Sequence, residues 1–159
     1  MVHINIVCVG KIKEQYLRDA INEYSKRLSK YCNLNIIELQ DKKIPDKANS
    51  SIEMQVIDAE SKDIISHLSK EAYNICLDLK GKELSSKGFA EKINDIQLIN
   101  SNINFVIGGS LGFNDEIRSL CKESICFSKM TFPHQLIRVF LLEQIYRAFK
   151  INNGEVYHK

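Results

Sequence analysis

Two stretches of this chain put unusual residues where connecting loops should lie. Phe127-Ser128-Lys129-Met130-Thr131-Phe132-Pro133-His134 carries three large apolar side chains, Phe127, Met130 and Phe132, in a segment that reads as a loop, where polar residues are the rule. Such side chains either plug a core or line a pocket for a flat apolar ligand, whose edges the loop's backbone N–H and C=O groups could read. Phe105-Val106-Ile107-Gly108-Gly109-Ser110-Leu111-Gly112 ends a strand in a glycine-rich turn. Its glycines let the backbone approach a ligand with no Cβ in the way; equally, they suit a tight turn that only reverses the chain. The run matches neither G-x-x-x-x-G-K-[ST] nor G-x-G-x-x-G, so phosphate binding has little support.

Titratable groups cluster after the first of these stretches. His134 is followed one turn later by Arg138, and the chain closes on Asn152-Asn153-Gly154-Glu155-Val156-Tyr157-His158-Lys159, whose last three residues can all donate hydrogen bonds. Each has a structural reading beside the chemical one: His134 as a hydrogen-bonded structural histidine, Arg138 as a solvated surface residue, the tail as a frayed terminus.

The elements that must position these groups follow from periodicity. Runs rich in β-branched residues at His3 to Val9, Leu34 to Leu39, Tyr73 to Leu79, Ile103 to Ile107 and Ser124 to Phe127 read as strands. Between them, Leu17, Ile21, Tyr24 and Leu28 recur at the spacing of one buried helix face. Further helices are expected over Ser51 to Lys70, Lys87 to Ile99, Asp115 to Lys122, capped by Asn114 or Asp115, and Pro133 to Lys150, where Pro133 suits a first turn. Alternation of strand and helix predicts an α/β class with a parallel sheet covered on both faces. Ligands on such sheets sit beyond the carboxyl ends of the strands, which directs attention to the loops after Leu79, Ile107 and Phe127. The last helix is apolar on more than one side, from Leu136 and Ile137 through Phe140 to Phe149, so one face is expected on the sheet and another on a partner subunit. Residues 41–50 form the most polar connection and are expected to be mobile.

Composition narrows the class. With 159 residues, 44% of them hydrophobic, the chain suits one domain spanning 1–159. No apolar run approaches the roughly 18 residues of a membrane span, and no secretory signal is visible at the N-terminus, so a cytoplasmic protein is expected. Five cysteines, an odd count with no C-x-x-C pair, argue against a disulfide framework and against zinc, and no metal site is expected. Residues 129–159 hold five basic side chains against Glu143 and Glu155, a surplus of three where the whole chain has a surplus of two. That asymmetry favours a polyanionic partner.

Taken together, Phe-Val-Ile-Gly-Gly-Ser-x-Gly, Phe-Ser-x-Met-Thr-Phe-Pro-His-Gln-x-x-Arg-Val, Glu-Gln-x-Tyr-Arg-Ala-Phe-Lys-Ile and Tyr-His-Lys resemble the large-subunit ribosomal RNA methyltransferase H family, from Ile6 to the tail. The resemblance implies a SPOUT-class α/β fold with a C-terminal trefoil knot, a homodimer, S-adenosylmethionine as cofactor, and N3 of a pseudouridine in 23S rRNA of the assembled ribosome as substrate. By position it implies cofactor contacts at Leu77, Gly108, Phe127, Ser128, Lys129, Met130, Thr131 and Phe132. It leaves Arg138, His158, Tyr157 and His134 as the groups available for catalysis, with Arg138 and His158 expected to position and supply charge, and His134 to be structural. The alternatives are a noncatalytic ribosome-binding module of the same fold and a flavodoxin-like nucleotide-binding protein.

Overall fold

The computed structural model describes residues 1–157; His158 and Lys159, and with them the role expected of His158, lie outside the described residues. Five strands, β1 (Val2–Val9), β2 (Cys32–Leu39), β3 (Tyr73–Glu83), β4 (Asn102–Ile107) and β5 (Glu123–Cys126), form one sheet in the order β2-β1-β4-β3-β5. Every pairing is parallel, as the alternation predicts. The connections are α1 (Gln15–Leu28), α2 (Ser50–Ser66), α3 (Ser86–Ile99) and α4 (Asp115–Leu120), and α5 (Leu136–Asn152) closes the chain.

The central strands are buried on both faces, so their side chains divide between two cores. Ile4, Ile6 and Cys8 of β1 and Ile103, Phe105 and Ile107 of β4 point to the side covered by α1, α3 and α5, among Leu28, Ile93 and Leu141. Val7, Val9 and Val106 point to the other, under Ile64 of α2 and Ile117 of α4. Leu17 and Leu28 of α1 are buried, with Ile21 and Tyr24 packed beside them, which is the face the spacing indicated.

A polar rung fixes the register. Asn35, Asn5, Asn104 and Asn74 stand side by side on four neighbouring strands. Asn5 Nδ2 donates to Asn104 Oδ1 and Asn104 Nδ2 to Asn74 Oδ1, both at 2.8 Å. Asn74 Nδ2 then reaches the Ser69 carbonyl at 2.9 Å. A one-residue slip of β3 or β4 would leave a buried amide of this rung unpaired.

The element ends depart from expectation at instructive places. β3 continues past Leu79 to Glu83, because its pairing with β5 breaks after Leu77 and resumes at Lys82, throwing the intervening residues outward. Gly81 permits this: a Cβ there would stand 2.7 Å from the β5 backbone. Helix α2 stops at Ser66 rather than Lys70, where the His67 and Leu68 N–H groups turn back to Ile64 and Ile65 in a tighter coil. Pro133 is not in the last helix; α5 begins at Leu136, and the Pro133 carbonyl accepts the Ile137 N–H. Helix α5 packs between α1 and α3, which covers much of its apolar perimeter within one subunit.

Candidate active site

The outward bulge of β3 and the loops that follow β4 and β5 meet around a cleft of about 690 Å³, a size suited to a small-molecule ligand. Leu77, Gly108, Phe127, Ser128, Met130, Thr131 and Phe132 all line it. Of the expected contacts, Lys129 alone does not; its side chain is exposed. The bulge in β3 supplies one wall, bringing Asp78, Leu79 and Lys80 over the opening.

Local hydrogen bonds shape the two loops. Ser128 organises the Phe127–Phe132 segment: its hydroxyl accepts the Met130 N–H at 3.1 Å and its carbonyl accepts the Cys126 thiol at 2.9 Å. Phe132 is braced edge-on against Phe140, ring centres 5.3 Å apart. In the glycine turn, the Gly112 N–H donates to the Gly109 carbonyl at 3.0 Å, and a Cβ on Gly108 would lie 2.8 Å from the Gly112 carbonyl carbon. Beneath the turn is Glu60 of α2, a buried carboxylate whose Oε2 accepts the Lys42 N–H at 2.9 Å and whose Oε1 would meet any side chain at Gly109. Burial raises its pKa above the usual carboxylate value. Ser61, its neighbour, accepts the Asn114 N–H at 3.1 Å, and Asn114 Oδ1 caps α4. The glycine turn thus rests on a prop of polar groups from α2.

A charged pair in the cleft was not foreseen. Arg118 Nε donates to Asp78 Oδ2 at 2.6 Å, Nη1 reaches Asp115, and the guanidinium lies 5.0 Å from the Phe113 ring centre. Both Asp78 and Arg118 line the cleft. A strand-end carboxylate followed by a basic helix residue is too common a pattern to mark the pair in advance.

The catalytic candidates are scattered. Arg138 does not line the cleft and does not face solvent; it is 1% exposed, with Nη2 donating to the Val9 and Gly10 carbonyls at 2.6 and 2.8 Å and Nη1 to Glu38 Oε2 at 3.0 Å. The charge expected to act on substrate is therefore spent on the loop after β1, and Arg138 is a positioning residue. His134 does line the cleft, beside Gly10, where a Cβ would stand 3.6 Å from Nε2. Burial, and then the nearby Arg138 guanidinium, lower its pKa, so the ring is neutral at pH 7. Tyr157 lies against α5, its hydroxyl donating to Glu143 Oε2 at 2.9 Å under the Arg147 guanidinium. Among the described residues, three of the five basic side chains of the C-terminal surplus are already paired. Arg138, Arg147 and Lys150 pair with Glu38, Glu143 and Glu155.

As for known proteins, a family model described as "Predicted SPOUT methyltransferase" matches residues 2–158. The ribosomal RNA large subunit methyltransferase H of Clostridium acetobutylicum is 54% identical over 99% of this chain and all of its own length. That of Clostridium novyi is 55% identical over the same shares. Among solved structures, a probable methylase family protein from Haemophilus influenzae Rd KW20 superposes with a TM-score of 0.56 at 12% identity, over all of this chain and 72% of that one, a likeness of fold.

Proposed function

The chain belongs to the SPOUT methyltransferase family, and on that footing we propose that it transfers the methyl group of S-adenosylmethionine to N3 of a pseudouridine in 23S rRNA of the assembled ribosome. It does so as a cytoplasmic homodimer whose residues 1–159 form one domain with a C-terminal trefoil knot. Relatives named as large-subunit ribosomal RNA methyltransferases match end to end and support the substrate class. The observation that carries the cofactor assignment is the convergence of Leu77, Gly108 and the Phe127–Phe132 loop on one cleft.

The residues present fit such a cofactor. Leu77, Phe127 and Phe132 offer apolar walls for a flat heteroaromatic ring, the close Gly108–Gly112 contact leaves a smooth backbone surface, and Asp78 with Arg118 supplies both signs of charge for an amino-acid moiety. S-adenosylmethionine brings a methyl already activated by its sulfonium. What the protein must add is alignment of N3 and a destination for the N3 proton. Arg138 fixes the Gly10 loop beside His134. His134, held neutral, is the cleft group that accepts that proton, and His158, outside the described residues, is the group proposed to supply charge.

Calorimetry tests the cofactor reading. S-adenosylmethionine binds the wild-type protein, and Gly108→Val, which forces a side chain into the Gly112 backbone, weakens binding by about tenfold or more. No heat from wild-type protein, or undiminished affinity in Gly108→Val, would sink the assignment.

A further inference from the structure

Among the described residues Glu60 is the one buried carboxylate, 4% exposed, and it enters no ion pair. We propose that Glu60 selects the charge of the cofactor, favouring S-adenosylmethionine, whose sulfur is cationic, over the product left after transfer, whose sulfur is neutral. The proposal rests on the S-adenosylmethionine reading above and assigns a specificity-determining residue to that cleft.

Three observations carry this. First, the carboxylate is only half satisfied. Oε2 accepts the Lys42 N–H at 2.9 Å, and no described residue donates to Oε1. The Lys42 ammonium is engaged elsewhere, 3.3 Å from Asp63 Oδ2. A buried carboxylate with a bare oxygen is costly to fold, and such groups gather where a ligand offsets the cost. Second, Oε1 faces the glycine turn: a Cβ on Gly109 would stand 2.9 Å from it, and Gly109 lines the cleft. At this point a glycine backbone, with no side chain, stands between the charge and the ligand. Third, the charged groups that line the cleft offer no free anion, because Asp78 is bound to Arg118 at 2.6 Å and Lys80 is a cation exposed to solvent. Burial raises the Glu60 pKa, the Lys42 N–H opposes that rise, and a bound cation opposes it further. In the transfer the S–CH3 bond breaks, the N3–CH3 bond forms and the N3 proton passes to His134, so the sulfur leaves as a neutral thioether. An anion behind the wall stabilises the charge that this step erases. Glu60 therefore favours cofactor entry over product retention and does not accelerate the step itself.

Calorimetry with S-adenosylmethionine and with S-adenosylhomocysteine, its neutral thioether, reads the preference as the ratio of two Kd values, in wild-type protein and in Glu60→Gln. Glutamine keeps an oxygen for the Lys42 N–H and removes the charge. The variant should raise Kd for S-adenosylmethionine about fivefold or more and leave Kd for the thioether within about twofold of wild type, since the field of one charge acts on the cationic ligand alone. A purely structural prop would weaken both ligands alike and leave the ratio where it was. Should Glu60→Gln fail to fold, Gly109→Ala decides in its place, because the added Cβ pushes Oε1 away from the wall and should narrow the preference in the same direction. A ratio unchanged from wild type in the deciding variant overturns the proposal and leaves the cofactor reading standing. Wild-type protein that binds neither ligand removes the cofactor reading, and the proposal with it.

Discussion

Replacing Arg138 by methionine would keep much of the side chain's bulk while removing three hydrogen bonds, to Val9, Gly10 and Glu38. Two buried carbonyls would lose this partner and Glu38 would keep only the Ile12 N–H, so urea unfolding should show a loss of about 3 kcal/mol. Wild-type stability in that variant would mean the guanidinium is not structural. His134 gives a second residue-scale expectation. Its pKa lies below the ordinary histidine value, first through burial and then through Arg138. Between the folded and unfolded values the native state binds fewer protons than the unfolded one. The contribution of His134 to stability is therefore complete above the unfolded value and falls away as pH drops through that window. An NMR titration should find the His134 midpoint below 6.5; a midpoint above it would contradict a neutral proton acceptor. Residue types and spacing made both positions visible beforehand. Orientation was not legible, because a helix apolar on several sides gives no periodic signal for which way Arg138 points.

The strands and helices were legible as elements, since buried runs and helical stripes are local patterns. Their ends were less so. The extension of β3 depends on a bulge, and the bulge on the close passage of Gly81 over β5, a contact between residues more than forty positions apart in the chain. The asparagine rung is likewise invisible in any one strand. Its removal should matter: Asn104→Leu strands the amides of Asn5 and Asn74 and should cost about 2 kcal/mol in urea unfolding, and a neutral effect would deny the rung its role in register. The segment after α5 is held by Glu155, which accepts Tyr31 Oη at 2.8 Å and the Lys150 ammonium. Lys150, then Tyr31, pull its pKa down to about 2, so the anchor persists far into acid and is lost only as pH falls through that value. Glu155→Gln should increase amide exchange over 153–157 at neutral pH, where a free terminus would show no difference.

At the scale of the molecule, alternation of strand and helix was enough to predict a parallel sheet covered on both faces, and the strand order fulfils it. Periodicity carries no record of threading or of a partner subunit; those expectations came from family resemblance alone. The candidate cleft was half legible. Apolar residues in a loop and a glycine-rich strand end marked two of its walls, while the third arises from the β3 bulge and from Asp78 with Arg118, which only the fold brings together. Arg138, Arg147 and Lys150 are neutralised within the subunit, so ribosome docking should depend on other lysines and weaken steeply with salt. Methyl transfer to one atom of ribosomal RNA can be followed with labelled S-adenosylmethionine. The purified protein is incubated with ribosomes from a strain lacking it, and the 23S rRNA is then digested and mapped by mass spectrometry. A single new methyl group, on N3 of a pseudouridine, is expected; label on any other atom, or none at all, would rule out the proposed transfer.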